Sequence, residues 1–122
     1  MSRTTPCILV ADDDAAIRES LARELGLHGL RAITAADGVE ALTLFRNEHP
    51  DLVITDLAMP GTTGFAFARE LLSHRPDLPV ILYTGHIDPI AQRELESAGI
   101  RALLPKPVEP DQLHALLTAF LP

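Results

Sequence analysis

Short apolar runs alternate with helix-period segments along the whole chain. The runs are Cys7–Ala11 (CILVA), Arg31–Ala35 (RAITA), Leu52–Thr55 (LVIT), Val80–Thr84 (VILYT) and Ile100–Leu104 (IRALL). The first, third and fourth are almost wholly apolar, as expected for strands covered on both faces by helices, whereas the second is more polar and suits a sheet edge. Between them, Ile17, Leu21 and Leu25 form one apolar stripe, and Leu42 and Phe45 a second, in a helix starting near Asp37-Gly38. Phe65, Ala68, Leu71 and Leu72 mark a third helix, and Ile90, Ala91, Leu95 and Ala98 a weaker fourth after Asp88-Pro89. Leu113, Leu116, Leu117 and Phe120 mark a fifth, with Pro110 near its start. Phe45, Phe65 and Phe120 are expected in the core. Gly29 and Gly99 stand where the first and fourth helices must turn into strands. His49-Pro50 and Arg75-Pro76 end the second and third, because a residue before proline is pushed out of the α region.

Strict β-α alternation predicts a parallel sheet with right-handed crossovers and helices on both faces. The fold class is therefore α/β, a doubly wound five-stranded sheet for which 2-1-3-4-5 is the economical order. No repeat or linker interrupts the pattern, so a single domain over 1–122 is expected, with an ordered core of about 6–121.

Composition narrows the function classes. The 122 residues hold 10 Lys+Arg against 17 Asp+Glu, a net charge of -7. Such a chain lacks the basic footprint that steers proteins onto nucleic acid or an anionic membrane. No apolar run approaches the ~20 residues needed to span a bilayer. The single cysteine, Cys7, has no internal disulfide partner and reads as an inert apolar residue, which suits a cytoplasmic setting.

In an open α/β sheet, ligands bind beyond the carboxyl ends of the strands, where the strand order reverses. Asp12, Asp13 and Asp14 follow the first run, Asp56 the third, Thr84-Gly85 closes the fourth, and Pro105-Lys106-Pro107 follows the fifth. In the 2-1-3-4-5 order, Asp12, Asp13 and Asp56 share one crevice, flanked by Thr84 and Lys106. Clustered carboxylates repel unless a cation or proton sits among them. Oxygen-only ligands, few and with room for waters, favour Mg²⁺. A cation with open positions can hold a phosphoryl group against a carboxylate nucleophile, while Lys106 pairs the remaining charge and the Thr84 hydroxyl donates to an oxygen. The reaction implied is in-line phosphoryl transfer onto Asp56.

Taken singly, each residue has a plainer reading. One acid of the triplet is the N-cap of the first helix, a role assigned to Asp14. Asp56 could be a turn residue ahead of Met59-Pro60-Gly61, and Thr84 a β-branched strand terminus. Lys106, however, is the only lysine in the chain and is flanked by two prolines. The histidines at 28, 49, 74, 86 and 114 lack short zinc-ligand spacing, and neither a P-loop nor a hydrolase elbow occurs.

ILVADDD at 8–14, LVITDLAMPG at 52–61, VILYTG at 80–85 and ALLPKP at 102–107 together resemble the receiver domain of two-component response regulators. The resemblance implies that Asp56 is the phosphoacceptor, that Asp13 binds Mg²⁺ (or Mn²⁺) directly and Asp12 largely through water, and that the Ala58 carbonyl is a further ligand. Thr84 resembles the switch hydroxyl and Lys106 its charge partner, with a Lys106-Pro107 bond that is typically cis. Phosphorylation is expected to reshape the face made by the fourth helix, fifth strand and fifth helix. The implied donor is a histidine kinase or a histidine phosphotransfer domain, and a phosphorylation-dependent dimer is a further implied partner state. Leu103 replaces the family's usual aromatic switch residue, which removes coupled aromatic rotation in its usual form. Gly85 leaves room beside the phosphoryl group, and His86 occupies a position that tunes dephosphorylation. The Tyr83–His86 run and Leu103 resemble receivers of hybrid histidine kinases more than those of transcription factors.

Two other classes compete. A degenerate receiver acting as an unphosphorylated interaction scaffold is favoured only by Leu103. A Mg²⁺-dependent aspartyl-phosphate phosphohydrolase often carries an acid two residues after its nucleophile, and Ala58 stands there instead. The receiver itself is expected to be no enzyme in the ordinary sense, but a domain that phosphorylates and dephosphorylates itself. A flavodoxin-type FMN carrier would not place three acids where the phosphate must sit.

Overall fold

A computed structural model describes residues 5–56, 58–59, 62–85 and 89–121. Five parallel strands form the sheet: β1 (Cys7–Ala11), β2 (Arg31–Ala35), β3 (Leu52–Asp56), β4 (Val80–Thr84) and β5 (Ala102–Pro105). Their order is β2-β1-β3-β4-β5, so the polar second run does lie at an edge. The helices are α1 (Ala15–Leu27), α2 (Gly38–Glu48), α3 (Gly64–His74), α4 (Pro89–Ser97) and α5 (Pro110–Phe120). Ala58–Met59 and Thr62–Thr63 pair as a short antiparallel ribbon between β3 and α3.

The strand pleat divides the core in two, because successive side chains point to opposite faces. Leu9, Val53, Val80 and Leu82 pack with Phe45, Phe67, Leu71 and Leu95, on the side of α2, α3 and α4. Ile8, Val10, Ile54, Ile81 and Tyr83 pack with Leu21, Leu25, Leu113 and Leu117, on the side of α1 and α5. No described helix is long and apolar enough to cross a membrane.

The caps follow local chemistry. Asp14 accepts from the Ile17 amide at 3.1 Å, Asp37 from Glu40 at 2.8 Å, and Thr63 from Ala66 at 3.0 Å. Each satisfies an amide that the first helical turn leaves without a partner. Gly29 and Gly99 have φ of 77° and 103°, which allows the sharp exit from α1 and α4. His49 ends α2 in the left-handed region, and Arg75 ends α3 at φ -137° and ψ 86°, outside the helical region.

Three expectations need correction. The fifth strand begins at Ala102 rather than Ile100, because the Ile100 amide donates to Leu95 O (3.1 Å) and closes α4 instead of joining the sheet. It runs on to Pro105, and the third strand includes Asp56. The fully buried aromatic of α3 is Phe67, whereas Phe65 is only partly covered; Phe120 is likewise partly covered, while Phe45 is buried.

Candidate functional site

The site follows from strand register. Ala11 pairs with Thr55, so Asp12 leaves β1 level with Asp56 at the end of β3. Asp56 in turn pairs with Tyr83, and Thr84 with Pro105, which brings the ends of β4 and β5 to the same rim. Ligand oxygens of Asp12, Asp13 and Asp56 all lie within 4.8 Å of one another. Asp12 is 1% exposed, Asp13 is exposed, and Asp56 lies between.

Asp12 is held from several directions. Its Oδ1 accepts from the Asp14 amide at 2.9 Å, its carbonyl accepts from Arg18 Nη1 at 2.7 Å, and its own amide donates to Ala35 O at 3.1 Å. Its Oδ2 accepts from Lys106 Nζ at 3.1 Å, and the same ammonium lies 3.4 Å from Asp56 Oδ1. The Lys106 amide donates to Thr84 O at 3.0 Å, and the Lys106-Pro107 bond is cis. Burial by itself would push the Lys106 ammonium down, but Asp12 and then Asp56 outweigh it and raise its pKa. The lysine is therefore charged at neutral pH.

These residues suit a hard divalent cation. The donor set is carboxylate oxygen alone, with no sulfur or imidazole, and it carries more negative charge than Lys106 offsets. Among the described residues, this is the group of three acid, His or Cys side chains close enough to share an ion. His28 and His114 are instead stacked on each other, with centroids 5.5 Å apart.

A family model for the response regulator receiver domain matches residues 8–118. The chain belongs to that family. It is 43% identical over 115 residues to response regulator MprA of Mycobacterium sp. (strain KMS), covering 93% of this chain and 50% of that protein. The identity to MprA of Mycobacterium avium is 40% over the same length. The chain thus spans about half the length of the curated relatives it matches. Among solved structures, the chemotaxis protein CheY4 of Vibrio cholerae superposes with a TM-score of 0.91 at 31% identity, covering 97% of this chain and all of that one. The beryllofluoride-activated DrrB receiver domain superposes with a TM-score of 0.87 at 28% identity. Receiver membership places the chain in two-component signalling.

The receiver's sequence-derived residues are mostly gathered at this rim. Asp12, Asp13, Asp56 and Lys106 converge, and Thr84 ends the adjoining strand. Asp14 caps α1 and stands apart in role. Gly85 is exposed, and a methyl group there would meet nothing within 4 Å. Leu103 is partly buried against the α2, α3 and α4 side of the core. Ala58 opens the ribbon, and His86 lies outside the described residues. Two contributors were missed. Arg18 reaches the Asp12 carbonyl from the first turns of α1, and Lys106 Nζ lies 5.0 Å from the centroid of the Tyr83 ring. Tyr83 sits in an apolar strand, where sequence reads it as core.

Proposed function

We propose that this receiver accepts a phosphoryl group from phosphohistidine onto Asp56 with Mg²⁺ (or Mn²⁺) bound, and passes its state on through the surface of α4, β5 and α5. The observation that carries the reading is the placement of one ammonium, Lys106, between a buried and a half-buried carboxylate at 3.1 and 3.4 Å. In the transfer, an Asp56 carboxylate oxygen attacks phosphorus, the N–P bond of the donor breaks, and the imidazole leaves with the electron pair. Asp13, exposed at the rim, would hold the cation directly. Asp12 would hold it largely through water, since both its oxygens already accept protein donors, and the Ala58 carbonyl would complete the protein's share. The bound cation supplies charge neutralisation, so that phosphoryl oxygens can approach three carboxylates.

Lys106 pairs the charge that remains, and the Thr84 hydroxyl donates to a phosphoryl oxygen, drawing the end of β4 inward. A groove of about 450 Å³ between α1 and the segment after β5 runs up to Lys106, lined by Ile17, Leu21, Tyr83 and Val108 among others. His86 would set the lifetime of the acyl phosphate.

The test is intact mass after incubation with Mg²⁺ and acetyl phosphate. One added phosphoryl group is expected, absent from Asp56→Asn. No adduct, together with no binding of beryllofluoride and Mg²⁺, would overturn the proposal in favour of a scaffold.

A further inference from the structure

The end of β4 grips Lys106 twice. Thr84 O accepts the lysine's backbone amide at 3.0 Å, while the neighbouring Tyr83 turns its ring to the lysine's ammonium, 5.0 Å from the centroid. The pleat explains the division. Tyr83 is buried on the α1 and α5 side, and its hydroxyl has the backbone of Val108 as a polar neighbour. The ring therefore meets the chain on both sides of Lys106-Pro107: at the ammonium before it and at the backbone after it.

The two carboxylates facing Lys106 are variable partners. On the functional reading above, on which this inference rests, a cation competes for both of them and Asp56 changes its charge distribution on phosphorylation. The face of an aromatic ring attracts a cation through its quadrupole, which neither event alters. We propose that Tyr83 is a positioning residue for phosphoryl transfer, its ring being the constant support that keeps the Lys106 ammonium at the rim while its anionic partners change. It stands beside the position of the absent aromatic switch: Tyr83 pairs with Leu104 across β4 and β5, next to Leu103.

Lys106 is the only lysine in the chain, so ¹³C-lysine labelling reports on it alone. The ring should shift the Lys106 ε-methylene resonance upfield in the wild type and in Tyr83→Phe, and the shift should vanish in Tyr83→Leu. Phosphorylation by acetyl phosphate at saturating Mg²⁺ should be within twofold of wild type in Tyr83→Phe and slowed about 3- to 10-fold in Tyr83→Leu. Mg²⁺ affinity by calorimetry should change less than twofold in either, which separates lost positioning from a collapsed site. A Tyr83→Leu protein that reacts at the wild-type rate overturns the proposal, as does an equal loss in Tyr83→Phe, which would assign the effect to the hydroxyl. If Tyr83→Leu fails to fold, an unshifted lysine resonance in the wild type overturns it without a variant. A wild-type chain that takes neither phosphoryl group nor beryllofluoride overturns the functional reading itself; a reactive wild type with an indifferent Tyr83→Leu overturns only this inference.

Discussion

Lys106 Nζ donates to Asp12 Oδ2 at 3.1 Å across 94 residues of sequence, joining the end of the first strand to the segment after the last. Asp12 is 1% exposed and Lys106 20%, so the pair is screened far less than a surface ion pair. Replacing Lys106 with Met should therefore destabilise the cation-free protein by about 1–2 kcal/mol, the loss moderated by the lysine's partial exposure. Urea unfolding with EDTA present checks this; an unchanged midpoint would mean that the pair adds nothing to stability.

Divalent cations should stabilise the fold through the acidic cluster. At ten times its dissociation constant, Mg²⁺ should add about 1.4 kcal/mol, and chelation should reverse the gain. Asp13→Asn should lose most of it, measured as the Tm difference between Mg²⁺ and EDTA. A full Mg²⁺ shift in Asp13→Asn would remove Asp13 from the direct ligands.

The three consecutive acids should separate by role. Asp14 spends its side chain on the Ile17 amide at 3.1 Å, so Asp14→Ala should cost about 1 kcal/mol as a lost N-cap. Its rate of phosphoryl acceptance should stay within twofold of wild type. Chemical denaturation and the acetyl phosphate assay, run side by side, test both halves.

Stability should fall in alkali. Burial raises the Cys7 thiol and the Tyr83 phenol, while Asp12 and Asp56 raise Lys106 against an opposing effect of burial. Each group holds its proton more tightly when folded than when unfolded. The stability linked to these groups is thus fully present below their unfolded pKa values, about 8.5, 10 and 10.4. It is lost as pH rises through the higher folded values. Denaturation midpoints between pH 7 and pH 11 should be level at first and then decline; a rise above pH 9 would contradict the sign.

Gly99 and Gly85 should respond differently to a methyl group. At Gly99, φ is 103° and a Cβ would lie 2.8 Å from Leu72 Cδ1, so Gly99→Ala should cost about 1–3 kcal/mol. Gly85 has open space around it, and Gly85→Ala should leave the unfolding midpoint nearly unchanged. Thermal melts of the two variants make the comparison.

Much of this was legible in the chain because parallel sheets covered on both faces leave near-continuous apolar runs, and α/β alternation restricts their order. The strands, the cap at Asp14, the start of the second helix near Asp37, and the rim residues Asp12, Asp13, Asp56 and Lys106 are local or topological consequences of that pattern. Where boundaries slipped, a helix-closing hydrogen bond decided: Ile100 reads as strand by its side chain, but its amide is taken by Leu95 O at the end of α4. Phe65 and Phe67 are both apolar neighbours on one helix, and only docking against the sheet selects Phe67 for full burial.

What the sequence by itself determined was the architecture and the identity of the acids at the strand ends, since periodicity and strand order bring chain-distant residues to one rim. What only the tertiary structure decided was how each charge is held. The register of β1 with β3 and of β4 with β5 sets Lys106 between Asp12 and Asp56, and turns the Tyr83 ring from core filler into a neighbour of the ammonium. The physical reason is range: periodicity reports which face a residue takes, whereas distances of 3–5 Å between side chains on different strands depend on register and packing together.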